Sequence, residues 1–310
     1  VAVAVTAIVP TLGRSPYLLD CLRALRNDGG TELEIVVVDQ GETAVVLPAG
    51  LADRVLRVGQ PLGFAAANNL AFAASTGRWI ATVNDDAVVE PGWLAGLTAL
   101  LQAHPEAAAA QGVNLMLDGL GVPGAVDGWA LAWNRWWQAV QAGRGRQPPP
   151  AESAPFEVFG VSATAALYRR DALARVAVDG AVFDPRLDTF YEDVDLAARL
   201  RQAGFSALCA PAARVRHAGS TTAQTFGSRR WALLYGNRYL LVAKLLGRSF
   251  WARLPLLVLR DLLDLLGGLV RHEGRTAGIL AGWRRAAAHL PGVVRWGRPA
   301  IPLGLIRRFQ

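Results

Sequence analysis

Residues 34–39 read EIVVVD. Four β-branched residues in a row with no polar alternation describe a strand covered on both faces, as in a parallel sheet. Upstream, Ala4 to Val9 forms another apolar run. Pro16 to Arg26 follows with Leu18, Leu19, Leu22 and Leu25 at helical spacing. Downstream, Arg54 to Val58 reads as a third strand, and a helix opens at Gly63-Phe64 and runs to about Ser75, with Gly77 as its stop. Trp79 to Val83 is a fourth strand that ends at Asn84-Asp85-Asp86, and Pro91 sits near the start of the next helix. Strand–helix alternation predicts an open α/β sheet with right-handed crossovers, in which ligands bind beyond the carboxyl ends of the strands. Thr11, Asp39 and the Asn84–Asp86 triplet fall at those ends.

Beyond Leu117 the alternation stops. Gly, Trp and Pro dominate to about Pro155, and GRGRQPPPA at 143–151 suits neither helix nor central strand, so 117–155 is expected as a mobile flap. Order resumes with a segment from Phe156 to Tyr168, helices near Arg170–Val176 and Asp193–Ala203, and short strands leading to His217. From Arg229 on, leucine-rich runs with arginines predict amphipathic helices, and none reaches the roughly 18 apolar residues of a membrane span.

The chain has 310 residues, 52% of them hydrophobic and 18% charged, which excludes disorder over most of its length. Two cysteines, Cys21 and Cys209, cannot frame a disulfide-stapled fold, and a reducing compartment is expected. The apolar start VAVAVTAIV lacks a basic leader and a cleavage site, so it reads as strand rather than signal peptide. The net charge of +7 is uneven: residues 1–219 carry 17 basic and 22 acidic side chains, and residues 220–310 carry 15 and 3. An acidic front and a basic tail point to two jobs. The tail helices either lie on an anionic membrane surface or pack against the front or a second copy of the chain; few polar residues interleave them, which disfavours a nucleic-acid groove.

Three polar clusters could carry chemistry. VNDDAVV puts an amide and two carboxylates after a buried strand, where they could hold a divalent cation or simply cap a turn. FYEDVDLAARL crowds Glu192, Asp193 and Asp195 into the first turn of a helix, with Asp184 and Asp188 close before it. The helix dipole accounts for part of that, and an ionised carboxylate there can also accept a proton. His217 closes a strand in VRHAGS and suits either a structural role or a site for a manganese-type ion.

Taken in order, AIVPT, EIVVVDQG, PLGFAAANNLAFAASTG, VNDDAVV, GVSATAALYRRDAL, FYEDVDLAARLRQAG and VRHAGS resemble the family 2 glycosyltransferases of the GT-A fold, most of all those of bacterial rhamnosyltransferase type, over roughly residues 3–220. The resemblance implies a Rossmann-like mixed sheet flanked by helices over 1–220, and the leucine spacing beyond it adds an amphipathic helical region over 221–310. It implies donor contacts from Pro10, Thr11, Asp39, Gly63, Phe64, Asn68, Asn84, Asp85 and Asp86, with Asp39 accepting from the pyrimidine. Asp86 and His217 become the ligands of Mn²⁺ or Mg²⁺, Asp193 the general base, and Gly160, Ser162 and Glu192 the wall around the sugar. Two positions depart from the pattern: Asn84 replaces an aspartate, leaving one charge fewer for the metal, and Gln40 stands where many relatives have Asn.

The reaction so implied is inverting transfer of a sugar, rhamnose from dTDP-rhamnose first among candidates, to a hydroxyl of a cell-surface or polyprenyl-diphosphate-linked glycan. The expected place is the inner face of the plasma membrane, with self-association through the tail helices as a further expectation. A UDP-hexose donor or a non-catalytic sugar-nucleotide-binding protein are the alternatives. A nucleotidyltransferase would need a Gly-rich basic loop where PTLGRSP stands, and a dinucleotide dehydrogenase a G-x-G-x-x-G that does not open the first helix.

Overall fold

A computed structural model describes residues 4–28, 33–117, 124–219, 226–271, 274–294 and 303–309. Four parallel strands form one half of the sheet: β1 (Val5–Thr11), β2 (Leu33–Asp39), β3 (Arg54–Arg57) and β4 (Trp79–Val83), in the order β3-β2-β1-β4. Side chains alternate between two cores. Ile8, Val36, Val38 and Ile80 face one, while Val5, Ala7, Ile35 and Val37 face the other. Helices α1 (Leu18–Asn27) and α3 (Trp93–Ala103) cover the second core with Leu22, Leu25, Trp93 and Leu97. Helix α2 (Phe64–Ala74) covers the first with Ala65, Ala67 and Ala71. Apolar runs without alternation thus mark strands sandwiched on both faces, as expected.

The other half is mixed. Between α3 and the chain's later helices lie β6 (Ala107–Met116), β10 (Phe156–Val158), β11 (Ala165–Arg169) and β12 (Ser206–His217), with the short β5 (Ala87–Val89) on β12. β11 runs antiparallel between β4 and β6, and β12 runs parallel to β6. The carboxyl ends of β1, β2, β4, β6 and β12 therefore share one edge with the start of β11. Helices α4 (Arg170–Val176) and α5 (Glu192–Gln202) close this half, Leu173, Leu196 and Leu200 joining the core that α2 covers.

The expectation of a mobile flap over 117–155 is corrected in part. Residues 118–123 lie outside the described residues, but β7 (Val126–Gly128) pairs with β6, and β8 (Leu131–Trp133) pairs with β9 (Ala139–Gln141). Leu131, Trp133 and Trp137 are buried, in a cluster with Phe159 and residues from beyond 230. Their partners lie a hundred residues downstream, so local pattern gave no sign of the burial. Residues 143–151 have neither helix nor strand.

The C-terminal region is helical: α6 (Ser228–Leu246), α7 (Phe250–Arg271), α8 (Arg275–Val294) and α9 (Leu303–Arg308). Tyr239 to Ala243 of α6 pack in the same cluster as Tyr191 and Val194 at the start of α5. Among the described residues no helix is long and apolar enough to cross a membrane.

Candidate functional site

A cleft of about 800 Å³ opens at the edge where the parallel strands end. β1 brings Pro10 and Thr11 to it, the loop after β4 brings Asn84 to Asp86, the start of β11 brings Ser162 to Thr164, and β12 brings His217. Gly63, Phe64, Glu192 and Asp193 line it from the N-termini of α2 and α5.

The acidic triplet is held from below. Thr11 Oγ1 donates to Asp85 Oδ2 at 2.6 Å, and Ser15 Oγ donates to the Asp85 carbonyl at 2.9 Å. Burial, followed by the neighbouring Asp86 carboxylate, outweighs that hydrogen bond and pushes the Asp85 carboxyl up to about 7. Asp86 Oδ1 lies 3.3 Å from His217 Nε2. On the far side of the ring, Asp127 Oδ2 sits 2.7 Å from His217 Nδ1, and Asp127 Oδ1 takes Arg144 at 2.6 Å. Burial alone pulls the imidazole down; hydrogen bonding to Asp127 and the two carboxylate charges overcome it and raise His217 to about 9. Nε2 itself is buried and makes no hydrogen bond of acceptable geometry. A carboxylate behind one ring nitrogen, leaving the other turned toward a second carboxylate, is how proteins orient a metal-binding histidine. Among the described residues, no group of three or more His, Cys, Asp or Glu side chains is arranged to hold a metal by itself.

The second carboxylate pair enters from α5. Asp193 accepts from the Val194 amide at 2.8 Å and from the Ala163 amide at 3.3 Å, yet burial dominates and raises it to about 6. Glu192 is 6% exposed, its Oε2 has no hydrogen-bond partner, and burial beside Asp193 raises its carboxyl well above the ordinary range. Asp195 and Asp184 do something else. Lys244 of α6 bridges them, while Arg199 takes the other oxygen of Asp195 and Arg186 donates to both oxygens of Asp184, so these two acids anchor α6 against α5 and the loop before it.

The loop feeding α5 is strained. Asp188, Phe190 and Tyr191 adopt φ of 60°, 71° and 71°, a region non-glycine residues rarely visit. Asn237, fully buried in α6, clamps it: Nδ2 lies 2.5, 3.0 and 2.9 Å from the carbonyls of Leu187, Thr189 and Phe190. Arg285 of α8 in turn donates to Asn237 Oδ1 at 3.1 Å. Gly63 meets the same loop. Its φ of +87° and the 2.0 Å that would separate a Cβ from Asp188 Oδ1 both require glycine.

Three expected residues sit away from the cleft surface. Asp39 is buried beneath the loop that follows it, where its oxygens accept from the Gly41 and Val45 amides, both at 3.0 Å, and face Arg57 at 3.2 Å. Gln40, next along, lines the cleft in its place. Asn68 is buried within α2 and donates to the Phe64 carbonyl at 2.9 Å. Gly160 packs against α5, where a Cβ would come within 2.2 Å of the Ala197 Cβ. Ser162 does reach the cleft, its amide held by Gln111 Oε1 at 2.6 Å.

Sequence reading missed Asp127 and Asn237, along with Arg14, Arg144, Arg229 and Arg230, which ring the cleft with positive charge. Asp127 lies in a stretch without periodicity, and Asn237 in a helix that reads as part of a separate tail.

The sequence is similar to one curated relative, the Sinorhizobium fredii protein y4gI, at 28% identity over 202 residues; the match covers 59% of this chain and 21% of that protein. The fold is similar to that of GalNAc-T7, solved with UDP, GalNAc and Mn²⁺, at a TM-score of 0.60 and 14% identity over 80% of this chain and 49% of that one. S. aureus TarS aligns over 80% of this chain and 43% of its own at a TM-score of 0.49 and 18% identity. This chain therefore spans less than half of each of these proteins. The mixed sheet flanked by helices is the GT-A architecture. Residues 6–177, more than half of the chain, match the family described as glycosyl transferase family 2, with Glu192, Asp193 and His217 beyond the matched segment. The chain belongs to glycosyl transferase family 2.

Proposed function

We propose that the chain transfers a sugar from a nucleoside diphosphate to an acceptor hydroxyl, with inversion at the anomeric carbon. The observation that carries this reading is the meeting of the Asp86–His217 pair and the Asp193 carboxylate in one cleft. Asp193 is the general base. Its carboxylate faces the cleft, is fixed by two backbone amides, and has a proton affinity close to neutrality, which suits it to accept the acceptor's proton as the new C–O bond forms. In the same displacement the bond from the anomeric carbon to the diphosphate breaks, and the nucleoside diphosphate leaves with the electron pair. Glu192, buried with its Oε2 free of hydrogen bonds, is placed to bond a sugar hydroxyl, and Ser162 completes that wall.

The residues fit a divalent cation of the Mn²⁺ or Mg²⁺ type. His217 Nε2 is buried 3.3 Å from Asp86 Oδ1 without a well-formed hydrogen bond, and the donor's phosphates would supply the remaining ligands. Such a cation would neutralise charge on the departing diphosphate. Asp86 and His217 would hold it, with Asp127 fixing the imidazole and Arg14 and Arg230 adding positive field at the mouth.

For the donor, the sequence resemblance favours dTDP-rhamnose, while the UDP and GalNAc bound to the similarly folded GalNAc-T7 support a UDP-linked sugar as the second reading. The acceptor we infer is a surface glycan carried on a polyprenyl diphosphate, which places the chain on the inner face of the plasma membrane. Thermal shift with a panel of nucleotide sugars, with and without Mn²⁺, tests the reading. One donor should raise Tm only when the cation is present, by an amount corresponding to about 2.7 kcal/mol at a hundredfold excess over Kd. Absence of any donor-dependent shift would overturn it.

A further inference from the structure

Helix α7 buries Phe250 and Leu257, yet turns a second apolar face outward. In a surface helix of a soluble protein, leucines turn inward and charges outward. Here the two acids turn inward: Asp261 is fully buried and accepts from Arg238, from Tyr239 Oη at 2.7 Å and from Trp283 Nε1 at 2.7 Å. Asp264 accepts from Tyr235 Oη at 2.8 Å and meets Arg260 and Arg275 at 2.7 and 2.9 Å. Outward stand Trp251, Leu259, Leu262, Leu263 and Leu266, each between 45% and 66% exposed. At about 100° per residue they fall within an arc roughly 120° wide. No acid shares that arc among the described residues of α7.

We propose that this face docks on an anionic lipid bilayer, the helix lying parallel to the surface. Charge decides between lipid and a second copy of the chain. Residues 220–310 hold 15 basic and 3 acidic side chains, and two of those three acids are buried in pairs with arginines of α6, α7 and α8. The outward field of this region is therefore positive; anionic headgroups complement it, whereas a second copy would oppose it with the same sign. Arg248 is exposed in the turn just before α7 and Arg253 is half-buried on its flank, both able to extend past the leucines to headgroups. Trp251 supplies the amphipathic ring that prefers the interface. The helix does not meet the requirements of a span, which leaves the in-plane orientation.

This docking rests on the lipid-linked acceptor only for its purpose, and vesicle flotation of the full chain without donor or acceptor tests it separately from sugar transfer. Wild type should float with mixed phosphatidylglycerol–phosphatidylcholine vesicles, less so as salt rises, and weakly with phosphatidylcholine alone. The exposed pair Leu259→Gln/Leu266→Gln should keep the Tm and lose at least about tenfold in partitioning. Arg248→Glu/Arg253→Glu should lose about fivefold or more. Wild type left in the pellet, or leucine variants that float like wild type, would overturn the proposal. So would a dimer in sedimentation velocity that the leucine variant dissolves while vesicles stay unbound, which would assign the face to a second copy. Donor-induced thermal shifts are unaffected by any of these outcomes, so the transfer reading stands or falls on its own.

Discussion

The cleft and the helical tail both bury carboxylates beside cationic groups, and they treat them in opposite ways. In the tail, Asp261 and Asp264 each receive three donors, drawn from arginine, tyrosine and tryptophan. In the cleft, Glu192 Oε2 and His217 Nε2 are buried without a hydrogen bond. A buried polar atom left unpaired costs about 1–3 kcal/mol, and the structure carries such atoms in the cleft as well as elsewhere. The tail's two buried acids are fully bonded and tie helices together, whereas Glu192, which lines the cleft, keeps an oxygen without a hydrogen bond.

The largest effect should come from Asp193→Asn, which removes a proton acceptor and keeps the shape. Turnover should drop about 10²–10⁴-fold while the donor-induced thermal shift persists, and near-normal turnover would take the base from Asp193. Next is Asp261→Ala, which strands the buried Arg238 guanidinium and should cost about 3–5 kcal/mol in urea unfolding. Glu192→Gln, equally buried, should be neutral or stabilising in the same assay; equal losses at both positions would erase the contrast. Asp127→Asn keeps the ring in place but weakens its support, and should lower cation-dependent donor affinity about 10–100-fold by titration calorimetry.

The smallest effect is the pH profile. Because burial lifts Asp193 to about 6, turnover should fall about tenfold per unit below pH 6 and level off above it. The same shift has a stability signature. A native carboxyl with a pKa above its unfolded value of about 3.9 binds its proton more tightly when folded. Stability contributed by the protonated form is therefore complete below about pH 4 and lost as pH rises through 6, a slope that Asp193→Asn should flatten.

Periodicity made much of the sheet legible. WIATV became β4 and RDALARV became α4 with the residues assigned to them, because β-branched or amphipathic runs were bounded by Gly, Asp or Pro. The cleft was legible for a topological reason: polar residues after parallel strands must share an edge, so Thr11, Asn84 to Asp86 and His217 meet although they are far apart in sequence. Side-chain direction was not legible. Asp39 follows its strand as expected, yet two backbone amides in the next loop capture its carboxylate, a local competition that spacing does not reveal. Asp127 was hidden because Trp133 and Trp137 order their segment against residues far downstream. Leucine spacing announced α7 as amphipathic but could not say which face looks outward.

Asn237 makes the C-terminal helices part of the chemistry's foundations. The left-handed residues at 188, 190 and 191 set the angle at which α5 presents its first turn, and the amide that spans their carbonyls is contributed from outside the sheet. A fragment cut at residue 220 would keep the reactive side chains and forfeit the bracket that aims them. Swapping tails between relatives would accordingly change how α5 is aimed.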